Sequence, residues 1–150
     1  MRCFAALCLV ALAAPASAQD AAPDPADAIR ATVVALFDGM RAGDTTAVRA
    51  VFHPEARLMR SIQQTGAYRV MTTPLDRFIA SLGASEVTWD ERLGDIEVRV
   101  DDGLATAWMP YRFYAGDRFS HCGVNAMQLA RSEGQWVIVH IMDTSRRSCE

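Results

Sequence analysis

The chain has 150 residues, 51% of them apolar, and its 15 basic and 18 acidic side chains give a net charge of −3 with histidines neutral. A chain of this size forms one domain able to bury its own core. Its slightly acidic balance argues against a nucleic-acid or anionic-membrane surface, and the one basic doublet, Arg146-Arg147, reads as a solvated chain end.

Residues 1–18 have the parts of a secretory signal: Arg2, an apolar run from Phe4 to Ala14, and Ala16-Ser17-Ala18 before Gln19. The run is too short to span a bilayer. The expected mature chain starts at Gln19 in a periplasmic or secreted location, with 132 residues carrying 14 basic and 18 acidic side chains. Cys3 and Cys8 leave with the signal, so Cys122 and Cys149 remain. An even count in an oxidising compartment favours a disulfide, with free thiols and an intermolecular bridge as the alternatives.

Gln19 to Asp24 reads as an Ala/Pro/Asp tether, and residues 25–150 as the domain. Asp24 can cap a helix that has Pro25 at its first position and Asp27 in its first turn. Ile29, Val33, Leu36, Phe37 and Met40 place one apolar stripe on that helix, and Gly43 stops it. Asp44 opens a short second helix carrying Val48, Val51 and Phe52, which His53-Pro54 is expected to end.

Ala56–Ser61 and Tyr68–Thr72 read as a hairpin around Gln64-Thr65-Gly66, and Thr73-Pro74 opens a third helix with Phe78, Ile79 and Leu82 on one side and Gly83 past its end. The period then changes to two. Strands are expected near 86–92, 95–100, 104–114, 118–130 and 136–143, with tight turns at Asp102-Gly103 and Gly116-Asp117. Helices first and long strands second is the α+β pattern, with three N-terminal helices on a curved antiparallel sheet.

The order of elements, together with Leu36-Phe-Asp-Gly-Met40 before Gly43-Asp44, Phe52-His53-Pro54-Glu-Ala56, and Gly134-Gln-Trp136 with Ile138 and His140, resembles the NTF2-like superfamily. Within it, the chain resembles the small SnoaL-like or lumazine-binding-like bacterial members, over about residues 25–145. The resemblance implies a cone whose pocket opens at the wide end and a homodimer formed through the sheet. It also implies either binding of a small molecule or isomerase, dehydratase or cyclase activity.

A two-residue turn at Gly116-Asp117 would set Arg112 opposite His121 and Trp108 opposite Asn125. Trp108, Arg112, Tyr114, Phe119, His121, Asn125 and Met127 would then share a face with Trp136, Ile138, His140 and Met142, a mixture suited to a pocket. Here Arg112, His121 and Asn125 would orient a ligand, while Trp108, Met127 and Trp136 would wall it. The competing reading is that Trp108, Met127 and Trp136 fill the core. The opposite face would hold Ala105, Ala107, Met109, Tyr111 and Phe113 with Val124, Ala126, Val137, Val139 and Ile141, as packing or dimer surface. A bulge would reverse part of this assignment.

His121, His140 and Asp143 are the catalytic candidates, since imidazole titrates near neutral pH. Structural hydrogen bonding competes for each histidine, and for Asp143 the competing role is to orient Arg146 or Arg147 and tie down the tail. Because His121 and Cys122 point opposite ways on a strand, a metal centre built from His121, Cys122, His140 and Asp143 is not expected. No phosphate loop or HExxH sequence occurs, so no cofactor is implied. The hairpin over 56–72 has no Asp, Glu or His, a departure from superfamily members that move protons. The expectation is a small-molecule binder, with a lyase or isomerase using His121 or His140 and a noncatalytic interaction module as alternatives.

Overall fold

The computed structural model describes residues 24–149, so the signal at 1–18 and most of the tether lie outside the described residues. Helix α1 (Pro25–Ala42) starts where the Asp24 carboxylate accepts the Ala26 N–H at 2.9 Å, and it ends at Gly43, whose left-handed φ of 66° suits glycine. Its stripe of Ile29, Val33, Leu36, Phe37 and Met40 is buried as the spacing predicts.

Helix α2 (Thr45–Ala50) is capped by Asp44 but stops before Phe52, which the sequence pattern had assigned to the helix. The chain is captured earlier by another strand: Ile138 N–H donates to the Val51 carbonyl at 2.9 Å, and Phe52 pairs with Ile138. Strand β1 (Phe52–Gln64) and strand β2 (Ala67–Pro74) form the expected hairpin, longer than the apolar pattern suggested and turning at Thr65-Gly66. Helix α3 (Leu75–Gly83) follows directly, with Leu75, Ile79 and Leu82 buried.

The remaining strands are β3 (Trp89–Leu93), β4 (Glu97–Asp101), β5 (Leu104–Ala115), β6 (Arg118–Ser132) and β7 (Gln135–Ser145). They join the hairpin in one sheet of order β2-β1-β7-β6-β5-β3, with β4 pairing β5 beside β3. Pairing is antiparallel except between β1 and β7, which run parallel. The helices cover one face. There Ala105, Ala107 and Met109 are almost fully buried in a core shared with Leu129, Ile138 and the α1 stripe. The fold is therefore an α+β cone of three helices on a curved sheet.

Two bulges correct the expected faces. The Gly116-Asp117 turn pairs Tyr114 with Phe119, but Ser120 is then an extra residue, and Phe113 pairs with His121, Arg112 with Cys122 and Met109 with Asn125. Val139 is a second extra residue, so Met127 faces Ile141 and His140 pairs with Gln128. As a result Ala105, Ala107, Met109, Tyr111 and Phe113 lie on the helix-covered face, while Trp108 and Arg112 lie outside, Trp108 being 53% exposed.

The disulfide joins Cys122 to Cys149, with Cα atoms 6.2 Å apart. It holds the tail beside β6, where Cys122 and Arg146 exchange backbone hydrogen bonds at 2.9 Å. Among the described residues, no helix is long and apolar enough to cross a membrane.

Candidate functional site

Between α1, α3 and the inner sheet face lies a cavity of about 590 Å³. Its apolar walls come from Leu36, Phe37 and Met40 of α1, Leu58 and Ile62 of β1, and Met127 and Ile141 of the central strands. An arc of aromatic rings runs along one side: Phe78 to Trp89 at 6.0 Å between centroids, Trp89 to Phe113 at 6.1 Å, and Phe113 to His121 at 5.0 Å. Strand alternation explains this arc, since Trp89, Phe113 and His121 share the inner face.

The polar groups of the cavity follow from one rung of the sheet. Met109 pairs with Asn125, Asn125 with Asp143, Asp143 with Arg60, and Arg60 with Met71. The buried amide of Asn125 donates to Glu91 Oε1 at 2.7 Å. Arg60 Nε donates to Asp143 Oδ2 at 2.7 Å, and the Tyr111 hydroxyl lies 3.0 Å from the same oxygen and 2.8 Å from the Thr144 carbonyl. Gly123, opposite Tyr111, makes that reach possible: a Cβ there would run into the Thr144 carbonyl oxygen and come within 2.9 Å of the Tyr111 ring.

Burial sets the charge state of this group. It pushes the Glu91 carboxyl up to about 7, against the opposing hydrogen bond from Asn125 and with help from the Asp143 charge. Burial also raises Asp143, opposed by Arg60, and raises the Tyr111 phenol. Burial, then the Arg60 charge, bring His121 down to about 4, which keeps its ring neutral at physiological pH. His121 Nδ1 lies 3.0 Å from Ser120 Oγ, while its buried Nε2 has no partner among the described residues. A carboxyl poised between its two protonation states can give or take a hydrogen bond or a proton.

Of the residues chosen from sequence, the structure brings His121, Asn125, Met127 and Asp143 to this cavity. Trp108 and His140 instead border a concavity of about 520 Å³ on the outer face, with Glu97, Arg99, Gln128 and Met142. Arg112 is exposed on that same face, and Trp136 packs against the core away from the cavity lining. Asp143 is bonded to Arg60 and Tyr111 rather than to Arg146 or Arg147. His53 only orders its own turn, its Nδ1 accepting the Glu55 N–H at 3.1 Å. Among the described residues, no cluster of three His, Cys, Asp or Glu side chains is arranged to hold a metal.

Sequence reading missed Glu91, Arg60 and Tyr111. A signal existed for the first two: Glu91 alternates with Trp89 and Leu93, and Arg60 with Leu58 and Ile62, so each occupies a position that the strand period assigns to the apolar face.

Residues 24–142 match the family described as "Putative lumazine-binding". No curated protein matches the sequence. Among solved structures, the chain is similar to an NTF2-like protein from Cytophaga hutchinsonii, with TM-score 0.69 and 11% identity over 82% of this chain and 99% of that one. It is similar to an NTF2-like protein of unknown function from Shewanella baltica, with TM-score 0.66 and 14% identity over 83% and 95%. It is also similar to a protein of unknown function from Mycobacterium tuberculosis, with TM-score 0.67 and 15% identity over 83% and 73%. At these identities the likeness is one of fold.

Proposed function

The chain belongs to this lumazine-binding-like family, within the NTF2-like superfamily, and on that premise we propose that it binds a small, flat, partly apolar molecule in the cone cavity. The observation that carries the reading is the Glu91–Asn125 pair set beside the apolar and aromatic side chains of the cavity wall. The second oxygen of Glu91 and the side-chain carbonyl of Asn125 have no hydrogen bond among the described residues. They offer a polar edge for a matching edge of a ligand, while the rings of Phe78, Trp89 and Phe113 accept its flat body. In this reading the protein works outside the cytoplasm after cleavage following Ala18, as a homodimer joined across the outer sheet face around Trp108.

Titration with a flat heteroaromatic probe, lumazine, followed by calorimetry and by quenching of Trp89, tests the reading. Saturable binding that Asn125→Leu abolishes and that loses its fluorescence signal in Trp89→Phe supports it. Binding that survives Asn125→Leu, or no binding, counts against it.

One observation favours a second reading. A carboxyl near pH 7 inside an apolar cavity is suited to general acid–base work, so Glu91, rather than His121 or His140, is the base of the lyase or isomerase alternative. Solvent deuterium exchange into a carbonyl ligand, lost in Glu91→Gln with binding retained, distinguishes the enzyme from the binder.

A further inference from the structure

Resting on the binding reading, we infer that the ligand is an amphiphilic acid whose apolar body fills the cone and whose carboxylate, sulfate or phosphate stays at the opening against Arg60, Arg69 and Arg77. The exposed members of the lining mark that opening: Met71 and Thr73 on β2, Ser81 on α3, and the Arg60 side chain, which is 42% exposed. The gap thus lies between the hairpin and α3.

Arginines stand on both of its sides. Arg69 pairs with Ile62, which lines the cavity, and shares the inward face of β2 with Met71 two residues on. Arg77 stands one helical turn before Ser81 on the same side of α3, and the Ser81 hydroxyl donates to the Arg77 carbonyl at 2.8 Å. Among the described residues neither Arg69 nor Arg77 makes an ion pair, and Arg60 uses Nε alone, on Asp143.

Among the described residues, the acids nearest this charge in sequence or in the cavity are already engaged or buried. Residues 56–75 include three arginines and no Asp or Glu. Asp76 is held by Arg49 at 2.7 Å, and the two acids of the cavity, Glu91 and Asp143, are buried in its inner wall. In a chain whose net charge is −3, unpaired positive charge gathered at the opening of an apolar cavity repels a cationic ligand and gains nothing from a neutral one. A planar guanidinium binds carboxylate and phosphate oxygens two at a time, which fixes the head of such a ligand at the opening.

Calorimetry at low salt with decanoate, decan-1-ol and decylamine, which share one apolar chain, tests the charge preference. A fourth probe, dihexanoylphosphatidic acid, separates a free acid from a lipid headgroup as the source. One or both acids should bind about tenfold more tightly than decan-1-ol, and decylamine weakest. The better acid identifies the source. In Arg69→Gln/Arg77→Gln the acid preference should fall to about that of decan-1-ol, with decan-1-ol binding and the melting curve unchanged because both side chains are exposed. Equal binding of decan-1-ol and both acids, or a preference that persists in the double variant, overturns this inference and leaves the binding reading standing. Failure of all four probes overturns this inference, and the lumazine titration then decides whether the binding reading falls with it.

Discussion

Asn125 Nδ2 donates to Glu91 Oε1 at 2.7 Å, joining the buried faces of β6 and β3 in the wall of the cavity. Among the described residues, this amide is the one hydrogen-bond partner of a carboxyl that burial otherwise drives toward its neutral form.

The first prediction concerns pH and stability. Glu91 holds its proton up to about 7 in the folded state but only to about 4.5 when unfolded, so the folded state loses stability as pH rises through that window. The loss attributable to Glu91 is on the order of 3 kcal/mol. His121 has the opposite sign: its folded value of about 4 lies below the ordinary 6.5, so stability rises with pH between those limits. From these two groups, urea midpoints of the parent protein should therefore change little from pH 4.5 to 6.5 and fall from there to about pH 7. In Glu91→Gln the midpoint should rise more steeply to pH 6.5 and decline less beyond it.

Removing Arg60 leaves Asp143 with Tyr111 as its remaining side-chain partner. Because Arg60 is partly solvated, Arg60→Ala should cost about 1–2 kcal/mol rather than the larger penalty of a fully buried pair. Asp143→Asn in that background should recover most of the loss, as read by a double-mutant cycle in urea.

Gly123→Ala should be among the most damaging single substitutions, costing several kcal/mol or preventing folding, because the added methyl meets the Thr144 backbone. Shrinking the neighbouring ring in Tyr111→Leu should not restore it, since the carbonyl clash remains. Circular dichroism melts of the single and double variants provide the test.

Reducing the Cys122–Cys149 disulfide, which spans 27 residues, should lower stability by roughly 3 to 4 kcal/mol in the chain-entropy treatment. Cys122→Ser and Cys149→Ser should give similar losses, and added reductant should have no further effect on either. Urea midpoints with and without reductant measure this.

If two copies meet across the outer face, Trp108→Asp should yield a monomer in sedimentation velocity while leaving ligand affinity within about twofold. The side chain is 53% exposed and borders the concavity opposite the cone.

Most of the architecture could be read from the amino acids. The stripe from Ile29 to Met40, the caps at Asp24 and Gly43, and the turn at Gly116-Asp117 are local signals, and each element they predicted is present. Which side chains meet in the cavity was less legible, because a face assignment carried from one strand to the next fails at any bulge. The extra residues Ser120 and Val139 have no distinguishing composition, yet each exchanges the two sides of the strand beyond it. Asn125, Met127 and His121 lie on the cavity lining, while Trp108, Arg112 and His140 went to the outer face with the reversal. Glu91 was missed for a different reason. A charged side chain at an inward strand position runs against the usual partition, and it persists here because Asn125 meets it and because it can stay neutral.

The parallel pairing of β1 with β7 affects how the chain can be made. The last strand inserts between β1 and β6, so the hairpin of β1 and β2 has no lateral contact with the rest of the sheet until residues 135–145 arrive. A chain emerging with its N-terminus first can form helices and the meander of β3 to β6, but it cannot close its sheet before residues 135–145 have been made. Loss of residues 135–149 would remove the strand that joins the two halves and the cysteine that fastens the segment after it to β6, leaving two exposed edges where the folded protein has a continuous sheet.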